Sequence, residues 1–159
     1  MKRIKLANGR GEVLVDDADF ERLSQHGWCL YESKGKRYAQ ANIRIGGRWR
    51  RVLMHRYLIG AEKGQLVDHE DGDGLNNRRG NLRFATRSQN QFNAGRRRGR
   101  FKGVSWHRAA GKWVAQISAG VKRYYLGLFV SEEEAARAYD RKAAELHGEF
   151  AKLNFPKVS

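Results

Sequence analysis

Cysteine is nearly missing from this chain. Its single copy, Cys29 in the stretch GWCLY, excludes an internal disulfide and any zinc site built on paired cysteines, and packing is its expected role. Long apolar runs are missing too. None approaches the roughly 18 residues that a bilayer-spanning helix needs, and the opening MKRIKLANGR has no apolar stretch of the secretory kind. The expectation is a soluble, intracellular, cytoplasmic protein without a membrane partner. Negative charge is scarce over one whole region: residues 95–130 hold nine Lys and Arg and no Asp or Glu.

Over the full 159 residues, 32 Lys and Arg stand against 17 Asp and Glu, a formal net charge of +15. A surplus of this sign and size favours a polyanion, with nucleic acid first and an anionic membrane second. The surplus is uneven. Residues 1–60 hold 13 cations and 6 anions, residues 61–94 hold 5 of each, and residues 131–159 hold 5 and 6. A neutral module therefore lies between two basic ones. The run GRRRGR, Gly95 to Arg100, has no apolar side chain to bury and reads as a solvated linker whose Arg96, Arg97, Arg98 and Arg100 can collect phosphates.

In the first module, GEVLVDDADFERLSQHGW predicts a short strand over Val13 to Val15, then a helix opened by Asp16 and Asp17 and stopped by Gly27. RYAQANIRI and RWRRVLMH alternate in character and meet at Gly46-Gly47, the signature of a hairpin. Its Arg44, Arg48, Arg50 and Arg51 suit solvated faces or DNA contact. MHRYLIG predicts a short helix closed by Gly60, with His55 near its start.

The central stretch VDHEDGDGLNNRRGNLRFATRSQN is dense in groups that could hold a cation. It fails as an EF-hand. Counting from Asp71, the fifth and twelfth positions are Leu75 and Leu82; counting from Asp68, they are Gly72 and Arg79. A plain turn accounts for the glycines, Asp73 and the asparagines, but not for Asp68-His69 at the end of the apolar LVDH. Downstream, NLRF resumes a strand, and Thr86 or Ser88 can cap a helix carrying Asn90. In a unit of strand, long loop, strand and helix, His69, Asn81 and Asn90 can converge on one cleft.

Here the sequence resembles the HNH endonucleases, in the variant common among phage homing endonucleases, over roughly residues 53–94. The spacings of 12 residues from His69 to Asn81 and 9 from Asn81 to Asn90 suit that variant, whose last position is Asn. Phosphodiester hydrolysis needs a base for water, a cation against charge on the phosphate and departing 3′ oxygens, and a rigid frame. The resemblance implies His69 as the base and Asn81 as the residue that fixes the loop and orients the histidine. Asp68 and Asn90 offer oxygen ligands, which suits one Mg2+ or Mn2+ and disfavours zinc. His55, in MHR, has packing as its expected role.

The last module, FKGVSWHRAAGKWVAQISAGVKRYYLGLF, holds three strand-like runs separated at Ala110-Gly111 and Ala119-Gly120. SEEEAARAYDRKAAELHG then predicts a helix with a Ser131–Glu134 capping box and Gly148 as its stop. Ala135, Ala138, Tyr139, Ala143 and Leu146 form its apolar stripe. Through KGV, GKW, YLGLF, EEEAARAYDRKA and LNFP, about residues 100–155 resemble the plant ethylene-response-factor domain of the APETALA-two type. That resemblance implies a sheet lying in the DNA major groove and braced by the helix. By strand alternation Trp113, Ala115 and Ile117 face the helix, while Lys112, Val114, Gln116 and Ser118 face outward. Lys102, Ser105, His107 and Arg108, with Arg123 and Tyr125, fall near the plant proteins' DNA-contacting positions. Ser105 and Ser118 replace arginines of the plant pattern, so base preference does not carry over. Trp106 can pack or stack.

The expected fold class is α+β: an N-terminal β-rich region (1–52) integral to the nuclease module, a ββα-metal HNH module (53–94), a basic linker (95–100), and a three-stranded antiparallel sheet on one helix (101–156). The expected activity is metal-dependent endonucleolytic nicking of double-stranded DNA with no obligate protein partner. Its rivals are a non-catalytic DNA-binding transcriptional regulator and, more distantly, an RNA-binding protein. The residues present favour the enzyme, since an idle scaffold has no chemical need for Asp68, His69, Asn81 and Asn90 together.

Overall fold

The computed structural model describes residues 1–95 and 99–156. They divide into two compact units, Met1–Thr86 and Arg87–Ser159. Among the described residues no helix is long and apolar enough to cross a membrane.

In the first unit, β1 (Lys2–Lys5) pairs antiparallel with β2 (Glu12–Val15), Ile4 opposite Val13. Helix α1 (Asp17–Ser24) follows, with Asp17 and Asp19 in its first turn, where the helix dipole favours negative charge, and Arg22 in its last. It ends three residues short of the Gly27 stop that the sequence predicts. The reason lies in Trp28, whose buried indole Nε1 donates to the Leu23 carbonyl at 2.8 Å and so takes up one of the helix's terminal acceptors.

Strands β3 (Cys29–Ser33), β4 (Lys36–Ile45) and β5 (Arg48–Leu53) form an antiparallel sheet in that order. On β4 alternation is visible in burial: Ala39, Ala41 and Ile43 enter the core. The β4–β5 turn is Gly46-Gly47, both at positive φ (57° and 77°), as a two-residue hairpin turn requires. Helix α2 (Met54–Ile59) ends on Gly60 in the left-handed region. β6 (Leu66–His69) and β7 (Leu82–Ala85) then pair antiparallel around the loop over 70–81.

One core joins these elements: Val13, Val15, Leu23, Trp28, Ala41, Met54 and Leu58 share it with Leu75 of the loop. Backbone bonds stitch the loop to β2 as well, Leu14 N to Leu75 O at 2.9 Å and Asn77 N to Leu14 O at 2.8 Å.

In the second unit, α3 (Arg87–Asn93) precedes β8 (Val104–His107), β9 (Lys112–Ala119) and β10 (Lys122–Phe129), a three-stranded antiparallel sheet with β9 in the middle. Helix α4 (Glu132–His147) packs on it. Both bonds of the capping box form: Glu134 N donates to Ser131 Oγ at 3.0 Å and Ser131 N to Glu134 Oε2 at 3.4 Å. The alanines of the stripe let α4 approach the sheet closely, and Ala115 and Ile117 meet Ala135, Tyr139 and Ala143 there. Gly103 is obligatory at this contact, because it sits at φ +75° and a Cβ would lie 2.1 Å from the Tyr139 ring.

Candidate functional site

His69 ends β6 and Asp68 precedes it, and both side chains are buried. Strand pairing sets Asp68 opposite Arg83 and His69 opposite Leu82. Arg83 exploits that pairing, donating from Nε at 3.1 Å and from Nη2 at 3.0 Å to Asp68 Oδ2.

Asn81 stands at the base of the loop and bonds to three of its residues. Its Nδ2 donates to Asp71 Oδ1 at 3.0 Å and to Asn76 O at 2.8 Å, its Oδ1 accepts from Asp71 N at 3.1 Å, and its carbonyl accepts from Glu70 N at 2.9 Å. An amide is suited to this because it donates and accepts at once. Asp71 also accepts from Asn76 Nδ2 at 2.6 Å and Asp73 N at 2.8 Å. Burial alone would raise the Asp71 carboxyl, but these donors outweigh it and hold it below the usual carboxylate range. The two residues after His69, Glu70 and Asp71, are thus both held by Asn81 through their backbone N–H groups.

The imidazole of His69 lies beside two rings that come from far along the chain. His55, on α2, meets it edge-on with centroids 4.9 Å apart, and Tyr38, on β4, packs on both at 6.2 Å and 5.5 Å. Burial lowers the His69 pKa, against smaller opposing pulls from Asn77 and from the Asp71, Asp68 and Asp73 carboxylates. The same desolvation, with the neighbouring His69 adding to it, pushes His55 down to about 3. His55 is thus a neutral packing ring that walls the site. Gly74 admits the third ring, since a Cβ there would lie 2.6 Å from Tyr38 and 2.2 Å from Arg37 O.

A second tie holds the loop, and it reaches across 60 residues. Arg79 grips Asp19 with both ends of its guanidinium at 2.8 Å, and its backbone N–H donates to Asp16 Oδ2 at 2.8 Å. Arg79 is the main reason the Asp19 carboxyl is lowered.

Asn90 lies on α3, in the second unit. Among the described residues no group of three or more His, Cys, Asp or Glu side chains is gathered for a metal. The oxygen donors that the sequence nominates, Asp68 and Asn90, are of the type a hard divalent ion takes, and at Asp68 the Arg83 guanidinium competes for Oδ2. Sequence spacing does not single out Arg83, whose cross-strand pairing with Asp68 follows once β6 and β7 are aligned.

In the second unit, register groups the nominated DNA-contacting residues. Pairing His107 with Lys112, Gln116 with Tyr125 and Ser118 with Arg123, and Ser105 with Val114, sets all of them on the sheet face opposite α4. Tyr125 is 64% exposed on it. Trp106 is half exposed on the other face, edge-on to Trp113 at 5.2 Å. Arg108 is exposed in the short turn after β8.

Two nominated cations have protein partners instead. Arg100 bonds to Glu133 at 2.8 Å, and Lys102 Nζ donates to the Phe92 and Ala94 carbonyls at 2.6 Å each, at the C-terminal end of α3. Phe92 stacks on His147 of α4 with centroids 3.6 Å apart, so α3 is anchored twice within this unit. Arg96, Arg97 and Arg98 lie outside the described residues.

Against known proteins, residues 52–92 match the HNH endonuclease family and residues 99–149 match the AP2 domain family. Similar curated proteins include Dehydration-responsive element-binding protein 2E of Arabidopsis thaliana, 46% identical over 36% of this chain and 28% of the relative. APETALA2-like protein 2 of Oryza sativa subsp. indica is 47% identical over 38% of this chain and 14% of its own length. The AP2-like ethylene-responsive transcription factor AIL7 of Arabidopsis thaliana is 47% identical over 35% and 11%. The chain therefore spans under a third of each of these relatives, and what it carries is an HNH-type domain followed by an AP2 domain.

Proposed function

We propose that this chain binds double-stranded DNA through the outward face of β8, β9 and β10, and that its HNH-type module is a metal-dependent endonuclease that nicks one strand. The observation that carries the second half is the holding of His69: a buried, neutral imidazole next to Asp68, followed by a loop that Asn81 lashes at three points. His69 takes a proton from water as the water oxygen attacks phosphorus, and the bond from phosphorus to the 3′ oxygen breaks. Asn81 keeps the loop, and with it the imidazole, from drifting during that transfer. Asp68 and Asn90 supply oxygen donors suited to Mg2+ or Mn2+, and such an ion, when bound, offsets charge growing on the phosphate and departing oxygens. A monomer with one such site breaks one strand per event.

A second reading, a DNA-binding transcriptional regulator that does not cut, has its own support. The named relatives include a transcription factor and an element-binding protein, and none of the three is named as a nuclease. Arg83 also occupies an oxygen of Asp68, with no three-residue metal group gathered among the described residues. On these comparisons the regulator has the stronger backing, and the HNH match with the His69 geometry speaks for the enzyme.

Conversion of supercoiled plasmid to nicked circle at low salt separates the two. Nicking with magnesium, none with EDTA, and a loss of about 10²-fold or more in His69→Ala with duplex binding unchanged is the expected result. Equal binding by both proteins with no nicking by either refutes the enzyme and leaves the regulator.

A further inference from the structure

The tip of the β4–β5 hairpin has no part in the chemistry around His69 or in the sheet of the second unit. Strand register sets Asn42 opposite Arg51 and Arg44 opposite Trp49. These four side chains therefore share the sheet face opposite Ala39, Ala41 and Ile43. Trp49 is 73% exposed with Arg44 and Arg51 exposed on its face, while Arg48 and Arg50, opposite Ile45 and Ile43, are exposed on the other face of the tip. No Asp or Glu occurs anywhere from residue 33 to residue 61, and among the described residues no carboxylate pairs with Arg48, Arg50 or Arg51.

A large apolar ring left in water at the end of a hairpin contributes nothing to the fold, and four guanidinium groups crowded on the two faces of its tip repel one another. Both features become favourable against a polyanion that offers an apolar wall between its charges. Duplex DNA is such a partner, with phosphates for the arginines and sugar edges lining a groove for the indole.

Placement supports the same partner. Tyr38 and Arg44 lie on one strand and one face, six positions apart, and Tyr38 is the ring that packs against His55 and His69. At about 3.3 Å per residue the strand covers about 20 Å between them, or about six base-pair steps of about 3.4 Å. The hairpin face is thus a track leading from the His69 site to a point about half a helical turn away.

We infer that the hairpin tip is a second duplex-DNA contact that enters a groove, with Trp49 against its wall, Arg44 and Arg51 reaching phosphates from the Trp49 face and Arg48 and Arg50 reaching them from the other face. The inference rests on the DNA-binding half of the proposed function and is independent of cleavage. Its test is the anisotropy of a labelled duplex of arbitrary sequence, titrated with the full chain at several salt concentrations. The proteins compared are the wild type, Trp49→Ala, and the triple variant Arg48→Gln, Arg50→Gln, Arg51→Gln. All four positions are exposed, and matched circular dichroism and urea midpoints verify that folding is kept.

Removing three phosphate contacts should flatten the log–log salt slope by about 2.7. Trp49→Ala should weaken binding about tenfold with the slope unchanged. Wild-type binding with both variants indistinguishable from it overturns the hairpin inference alone. Failure of the wild type to bind duplex DNA overturns this inference together with the DNA-binding reading. Tighter binding of a single strand than of the duplex, lost in Trp49→Ala, overturns the assignment of the duplex as the partner.

Discussion

His55 should make the first unit acid-labile in a measurable way. Buried against Tyr38 and His69, it must be neutral in the folded state, with a pKa pushed down to about 3, whereas in the unfolded chain it regains a value of about 6.5. Between those values the unfolded state binds the extra proton, so stability rises with pH across that window and is lost as pH falls from about 6.5 toward 3. One proton corresponds to about 1.4 kcal/mol per pH unit, so the term totals about 4–5 kcal/mol at the acid end. Carboxylates and His69 add their own pH dependence, which a His55→Phe variant retains while losing the His55 term. The assay is urea unfolding followed on the Trp28 indole N–H by NMR, a probe confined to the first unit because that proton is buried and bonded to Leu23 O. From pH 5.5 to 4, the wild-type stability should fall more steeply than the variant's by about 1.4 kcal/mol per pH unit. Parallel curves would show that His55 protonates in the folded state at no penalty, and the account of the His69 wall would be wrong.

Asp19→Ala should destabilise the first unit by about 1–2 kcal/mol, a range kept low because Arg79 is half exposed. Since the folded Asp19 pKa is lowered, the wild type's advantage should be present above about pH 4 and vanish as pH falls below it, which denaturation at two pH values reads directly. Lys102→Met removes two charge-assisted bonds from the end of α3. Amide exchange of α3 should speed up by a factor matching about 1–2 kcal/mol while β9 is spared; equal exchange in both proteins would mean that Lys102 does not anchor the helix.

Much of this molecule was legible before any coordinates. Hairpin, capping box, glycine stops and strand alternation are local signals, set by backbone geometry over a few residues, and β4, β5, α2, β9 and α4 follow them. Likewise the order of Asp68, His69 and Asn81 could be read from spacing, because a loop of fixed length brings its two ends together on paired strands. The end of α1 could not. It depends on an indole four residues beyond the helix, and β1, with only four residues of mixed polarity, carries no pattern of its own.

What the sequence by itself determined is chemistry and order: a cation-rich chain with an imidazole, carboxylate and amide set in its neutral centre, and a sheet-and-helix module after it. What only the tertiary structure decided is environment. Tyr38 and His55 bury His69, Asp19 grips Arg79 from 60 residues away, Arg83 shares Asp68, and Lys102 turns toward the carbonyls of α3. Protonation states, loop rigidity and the partners of charged groups depend on distances between segments remote in sequence, and such distances exist only once the chain has folded.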